Sequence, residues 1–131
     1  MIYGFLVINA LIIGVLYWGR GEVRSFVSSV QRISTLADLE VFKRMVKRQM
    51  TAGIVVLPLG VASFAMVIAL NVYYGLLGAA IVMAVCIPIF FISQGSKSLE
   101  LQSRSLPCID ALREEYIAVS TAWLKKLLPN F

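Results

Sequence analysis

The chain has 131 residues, of which 60% are hydrophobic, and it carries a formal net charge of +5. This composition excludes an ordinary soluble domain, because soluble domains use roughly 45–50% apolar residues and so small a protein has too little interior to bury the excess. Two cysteines and no histidine exclude a disulfide framework and remove the commonest metal ligand and general base. We therefore expect a single all-α integral membrane unit over residues 1–131.

The first uncharged segment predicts a membrane-spanning helix over about residues 2–18. At about 1.5 Å per residue it covers roughly 26 Å, close to the roughly 30 Å of a hydrocarbon core. Tyr3, Tyr17 and Trp18 lie where an aromatic belt anchors the two ends of a span. The segment ends in Tyr-Trp-Gly-Arg rather than in a small-residue cleavage site, which distinguishes it from a secretory signal.

Two amphipathic helices are predicted next, over about residues 22–33 and 35–50. The apolar residues of the first, from Val23 to Ile33, fall in one arc of about 120°, as in a helix lying in the membrane interface or packed on the protein's own polar part. Thr35 begins a Thr-Leu-Ala-Asp pattern that resembles a capping box. No glycine or proline follows before Thr51, so the second helix should continue directly into the next span.

Six basic residues of this region are candidates for contact with lipid headgroups, because each juxtamembrane charge gains on the order of 1 kcal/mol from anionic lipid. They are Arg24, Arg32, Lys43, Arg44, Lys47 and Arg48. The alternative is that the basic cluster serves only as a stop and orientation signal.

No charged residue occurs between Arg48 and Lys97. A single helix of this length would exceed twice the thickness of a bilayer, so two spans are predicted, over about residues 51–72 and 76–94. An Asn, two Gly and two Tyr between residues 71 and 78 indicate the turn. Pro58 and Pro88 lie inside the spans and should kink them.

The last segment predicts an amphipathic helix over about residues 106–128, with Ser105 as its N-cap and Pro107 in its first turn. Its apolar residues fall in an arc of only about 80°, which suits docking on another helix better than resting on lipid. The predicted partner interface consists of Leu112, Tyr116, Val119 and Trp123. Packing on the chain's own residues Leu39, Phe42 and Val46 is the alternative.

All twelve basic residues lie either in the segment after the first span or after the third. With three spans both segments fall on one face, and the positive-inside rule makes that face cytoplasmic. The expected topology is three transmembrane helices with the N-terminus outside and the C-terminus in the cytoplasm, in a bacterial inner membrane.

The predicted spans contain no ionisable side chain that could serve transport or catalysis. The strongly polar groups within the membrane are predicted to be Asn9, Ser63 and Cys86, and Asn9 is expected to hydrogen-bond a neighbouring helix. We predict no catalytic residues, no cofactor and no metal. The expected partners are membrane lipids and other membrane protein subunits, not nucleic acid.

The leading hypothesis for function is a non-catalytic accessory or scaffold subunit of a larger membrane protein complex, docking through its spans and its C-terminal amphipathic helix. The alternative is a self-assembling pore or membrane-permeabilising protein, since phage holins share the size, the basic tail and the uncharged spans. A regulator that sequesters lipid or docks a cytosolic enzyme is a third possibility.

Overall fold

The computed structural model describes residues 1–129 and 131, and the described chain is helical apart from Met1, the two connections and the described residues after Lys125. Its helices are α1 (Ile2–Ser29), α2 (Leu36–Arg104) and α3 (Asp110–Lys125). Two of them, α1 and α2, are long and apolar enough to cross a membrane. The predicted all-α class is therefore confirmed, together with a composition suited to a membrane.

Helix α1 is continuous over 28 residues, or about 42 Å, where the sequence predicts a span and a separate amphipathic helix. Glycines at 19 and 21 weaken a helix, but Gly19 is also where α1 packs on α2. The Gln49 side-chain amide donates to the Gly19 carbonyl at 3.0 Å, and a Cβ at Gly19 would lie 2.9 Å from Gln49 Oε1. This close contact stabilises the helix at Gly19, so α1 continues past the two glycines. The helix ends at Ser29, before Val30, whose backbone is extended.

Helix α2 begins as predicted. The Thr35 hydroxyl accepts from the Asp38 amide at 3.2 Å, and the Asp38 carboxylate accepts from the Thr35 amide at 3.0 Å, which completes a capping box. The helix then runs through Thr51 without a break, as expected.

The one non-helical residue in α2 is Gly75 (φ 53°, ψ −126°), which lies inside the predicted turn. It divides α2 into a first arm, residues 36–74, and a second arm, residues 76–104. The arms run antiparallel: Gly78 packs on the Leu70 carbonyl near the turn, and residues 96 and 100 return to the level of Gln49. Pro58 and Pro88 lie inside the arms, where the backbone dihedral angles stay helical.

Helix α3 begins at Asp110 and ends at Lys125, so it is shorter than the predicted 106–128. The predicted N-cap at Ser105 is wrong, because residues 106–109 are held outside the helix by a parallel bridge to Ile33. The Ile33 amide donates to the Pro107 carbonyl at 2.9 Å, and the Ile109 amide donates to the Ile33 carbonyl at 3.2 Å. Ile33 is itself extended and buried, not helical as predicted.

The main hydrophobic cluster lies where the end of α1, the beginning of α2 and α3 meet, and we call it the junction core. Its ring packing centres on Phe42, whose centroid lies 5.6 Å from that of Phe26, 4.9 Å from that of Tyr116 and 6.5 Å from that of Trp123. Its buried members are Val23, Phe26, Ile33, Leu39, Phe42, Met45, Val46, Met50, Leu112, Tyr116 and Val119.

Candidate functional site

The predicted partner interface on α3 lies within the junction core. Leu112, Tyr116 and Val119 are buried by the chain's own residues, and Trp123 packs against them and against Phe42. These contacts are those of the intrachain alternative, and a further contact of α3 with another subunit stays a prediction. The narrow arc indicated docking correctly, but a pattern on one helix does not identify the helix it packs on.

Tyr116 also holds the connection between α2 and α3 through its hydroxyl. That hydroxyl donates to the Ser103 carbonyl at 2.5 Å and accepts from the Leu106 amide at 3.2 Å. Burial raises the pKa of the Tyr116 phenol, because the charged phenolate would lose its hydration.

The six predicted headgroup residues do not form one cluster. Arg44, Lys47 and Arg48 are exposed and line one groove, whereas Arg24 and Arg32 are exposed elsewhere. The Lys43 ammonium is paired with the carboxylates of Glu115 and Glu40. Its hydrogen bond to Glu115 raises the pKa of Lys43. This pair joins α2 to α3, so Lys43 is not a free charge.

The groove lies between α1 and the first arm and has a volume of about 510 Å³. Val15 and Trp18 of α1 form one wall, and the first arm forms the other. The first-arm residues are Arg44, Lys47, Arg48, Thr51, Ala52 and Val55. The lining surface is almost entirely apolar, so the three basic residues line the groove mainly with the hydrocarbon stems of their exposed side chains. We call this feature the basic groove.

One carboxylate acts on the basic groove. Glu22 Oε1 lies 2.8 Å from Arg48 Nη1, and Glu22 Oε2 accepts from Gln49 Nε2 at 3.4 Å. Within the described part of the chain, Arg44 and Lys47 have no carboxylate within 4.0 Å. Sequence reasoning missed Glu22, since no local pattern relates it to a partner 26 residues away.

A small cavity of about 160 Å³ lies on the other side of α1, where both arms of α2 approach it. Its polar lining comes from Arg20, Gln49, Ser96 and Glu100. Such a set suits ordered water between helices, which is how buried polar groups are commonly satisfied.

Inside the apolar helices, one polar pair joins α1 to the first arm. The Ser63 hydroxyl donates to Asn9 Oδ1 at 3.0 Å, and the Asn9 amide donates to the Phe5 carbonyl at 2.8 Å. Both side chains are buried. The predicted hydrogen bond between Asn9 and a neighbouring helix is confirmed, with Asn9 as the acceptor.

The described residues hold no group of three or more His, Cys, Asp or Glu side chains that could bind a metal ion. Comparison with protein-family models, with curated proteins and with solved structures finds no match for the chain.

Proposed function

We propose that the protein is a non-catalytic structural subunit of a membrane protein complex, inserted in a bacterial cytoplasmic membrane. We propose three crossings, by α1 and by each arm of α2, with the beginning of α1 outside and the junction core in the cytoplasm. The positions of all twelve basic residues support this orientation.

The observation that carries the proposal is the exposure of the second arm. Of its described residues, only Gly78 and Ser103 are buried, while α1 and the first arm share the Asn9–Ser63 contact. Large apolar side chains are exposed around the second arm, namely Leu76, Leu77, Met83, Ile87, Phe90 and Phe91. Because the α3 stripe is packed within the chain, we assign docking on other subunits to the spans, and to the second arm in particular because so few of its residues are buried.

Purification in mild detergent, followed by mass spectrometry of the bound proteins, tests this assignment. We expect unlike subunits in a fixed ratio, and a homo-oligomer without other subunits would instead support a pore. Ala84→Phe on the exposed second arm should release the partners. Ala62→Phe, which places the same bulk on an exposed position of the first arm, is the matched control and should retain them.

Cysteine accessibility tests the orientation separately, in a Cys86→Ser, Cys108→Ser background. Asn71→Cys, next to the turn, should react with an impermeant maleimide added outside intact cells. Thr121→Cys, exposed on α3, should react only after permeabilisation. Reaction of both positions from the same side would contradict the three crossings.

A further inference from the structure

We propose that the basic groove binds one anionic phospholipid of the cytoplasmic leaflet, with the phosphate at Arg44, Lys47 and Arg48 and an acyl chain along the apolar wall. This inference rests on the proposed function for the placement of the groove at the membrane boundary. It goes further by assigning a defined site and a lipid class to residues that could otherwise serve only to orient the chain.

The groove lies at the boundary between charged and uncharged sequence on both of its walls. Trp18 ends the uncharged stretch of α1, and Arg48 is the last charged residue before the uncharged stretch of α2. Tryptophan prefers the headgroup level, and basic residues just outside a span attract anionic lipid. The groove therefore spans the depth at which a phospholipid changes from phosphate to hydrocarbon.

The charges of the groove suit a phosphate. Arg44 and Lys47 have no carboxylate partner among the described residues, while Glu22 holds the Arg48 guanidinium at 2.8 Å. A guanidinium can donate two parallel hydrogen bonds to phosphate oxygens, and both Arg44 and Arg48 carry one. The contact with Glu22 also holds the Arg48 guanidinium in place before the lipid binds.

The apolar end of the groove identifies a lipid rather than a soluble anion. Val15, Ala52 and Val55 continue the groove into the uncharged stretches, beside a Trp18 side chain that is 51% exposed. Inorganic phosphate would leave this wall uncovered, whereas an acyl chain covers it, and burial of apolar surface is favourable.

Fluorescence quenching of Trp18 by brominated lipids tests the site in reconstituted vesicles of the full chain. Trp123→Phe leaves Trp18 as the single tryptophan. Brominated phosphatidylglycerol and brominated phosphatidylcholine are compared at the same mole fraction. We expect stronger quenching by the anionic lipid. Arg44→Gln should lower the affinity for phosphatidylglycerol relative to phosphatidylcholine roughly fivefold, because one juxtamembrane charge contributes about 1 kcal/mol.

Arg24→Gln removes an exposed basic residue outside the groove and should leave the anionic preference unchanged. Excess inorganic phosphate should not displace the lipid, and displacement would identify a soluble anion as the ligand. Equal quenching by the two lipids would overturn the site while leaving the membrane placement intact. No quenching by either lipid would overturn the membrane placement as well.

Discussion

Two glycines at the turn of α2 are needed for different reasons. Gly75 has a positive φ with open space around it, whereas a Cβ at Gly78 would lie 2.3 Å from the Leu70 carbonyl oxygen. Position 75 requires a backbone conformation that residues with a Cβ atom rarely adopt. Position 78 requires a residue without a side chain, because a Cβ atom there would have no room.

We expect Gly75→Ala and Gly78→Ala each to destabilise the protein by about 1–3 kcal/mol, the first through backbone strain and the second through a steric clash. Gly60→Ala is the control, because nothing lies within 4 Å of its added methyl group. Thermal unfolding in detergent measures the three changes. A midpoint for Gly78→Ala equal to that of Gly60→Ala would contradict the close approach of the arms.

Tyr116 and Lys43 should make the folded protein less stable at alkaline pH. The pKa of each is raised in the folded protein, Tyr116 by burial and Lys43 by its hydrogen bond to Glu115. The folded state therefore keeps these protons to a higher pH than the unfolded state does. Their contribution to stability is present below the unfolded pKa values, about 10 for both types, and is lost as the pH rises through the folded values.

The thermal unfolding temperature should therefore decrease as the pH is raised from about 9 to about 11. Tyr116→Phe should be less stable at neutral pH, because it loses hydrogen bonds to Ser103 and from Leu106, but its further fall at alkaline pH should be smaller. Tyr17→Phe, at an exposed position, should follow the wild-type curve. The idea fails if Tyr116→Phe and the wild type decline in parallel.

At the scale of the helices, the Asn9–Ser63 contact is a polar link between the apolar stretches of α1 and the first arm. A double-mutant cycle with Asn9→Ala and Ser63→Ala should give a coupling energy of about 0.6–2 kcal/mol, the range for hydrogen bonds between membrane helices. Unfolding equilibria in detergent supply the four free energies. Asn71→Ala should change little by comparison, since Asn71 is exposed and donates only within its own helix, to Val67.

The features of the helices that sequence could predict are those specified locally. The capping box at Thr35 needs only its own four residues, and the turn near Gly75 follows from the length of the uncharged segment and its glycines. The continuation of α1 past Gly19 could not be predicted, because a contact with Gln49, 30 residues away, offsets a weak helix former. The start of α3 depends in the same way on the distant Ile33.

The candidate site was predictable only in part for the same reason. Arg44, Lys47 and Arg48 share one turn of α2, so their clustering is visible in the sequence. The opposite wall, with Val15 and Trp18, belongs to α1 and becomes part of the site only when the helices pack, as does the contact of Glu22 with Arg48. Sequence also could not show that Lys43 is taken by Glu115, which lies 72 residues away.

At the scale of the whole molecule, the two cysteines report on different environments. Both are free: Cys86 is exposed on the second arm, and Cys108 is partly buried beside the junction core. Burial raises the pKa of the Cys108 thiol, so little reactive thiolate is available at neutral pH.

We expect a water-soluble maleimide to label neither cysteine quickly in native membranes, Cys86 because the proposed topology places it in lipid and Cys108 because burial makes its thiol a poor nucleophile. Denaturation should make both react. Mass spectrometry of Cys86→Ser and Cys108→Ser variants assigns the label to each position. A disulfide between the two cysteines in the native protein would contradict the separation of these environments.

The uninterrupted course of α1 and of the first arm also has a mechanical consequence. Both helices pass from their apolar stretches into the junction core without a flexible joint, and the contact of Gln49 with Gly19 binds them together at that level. A helix in a bilayer adjusts to a change in hydrocarbon thickness by tilting. In the proposed topology, such a tilt should turn the junction core through the same angle, so a change in membrane thickness should change the orientation of the surface that the core presents to water.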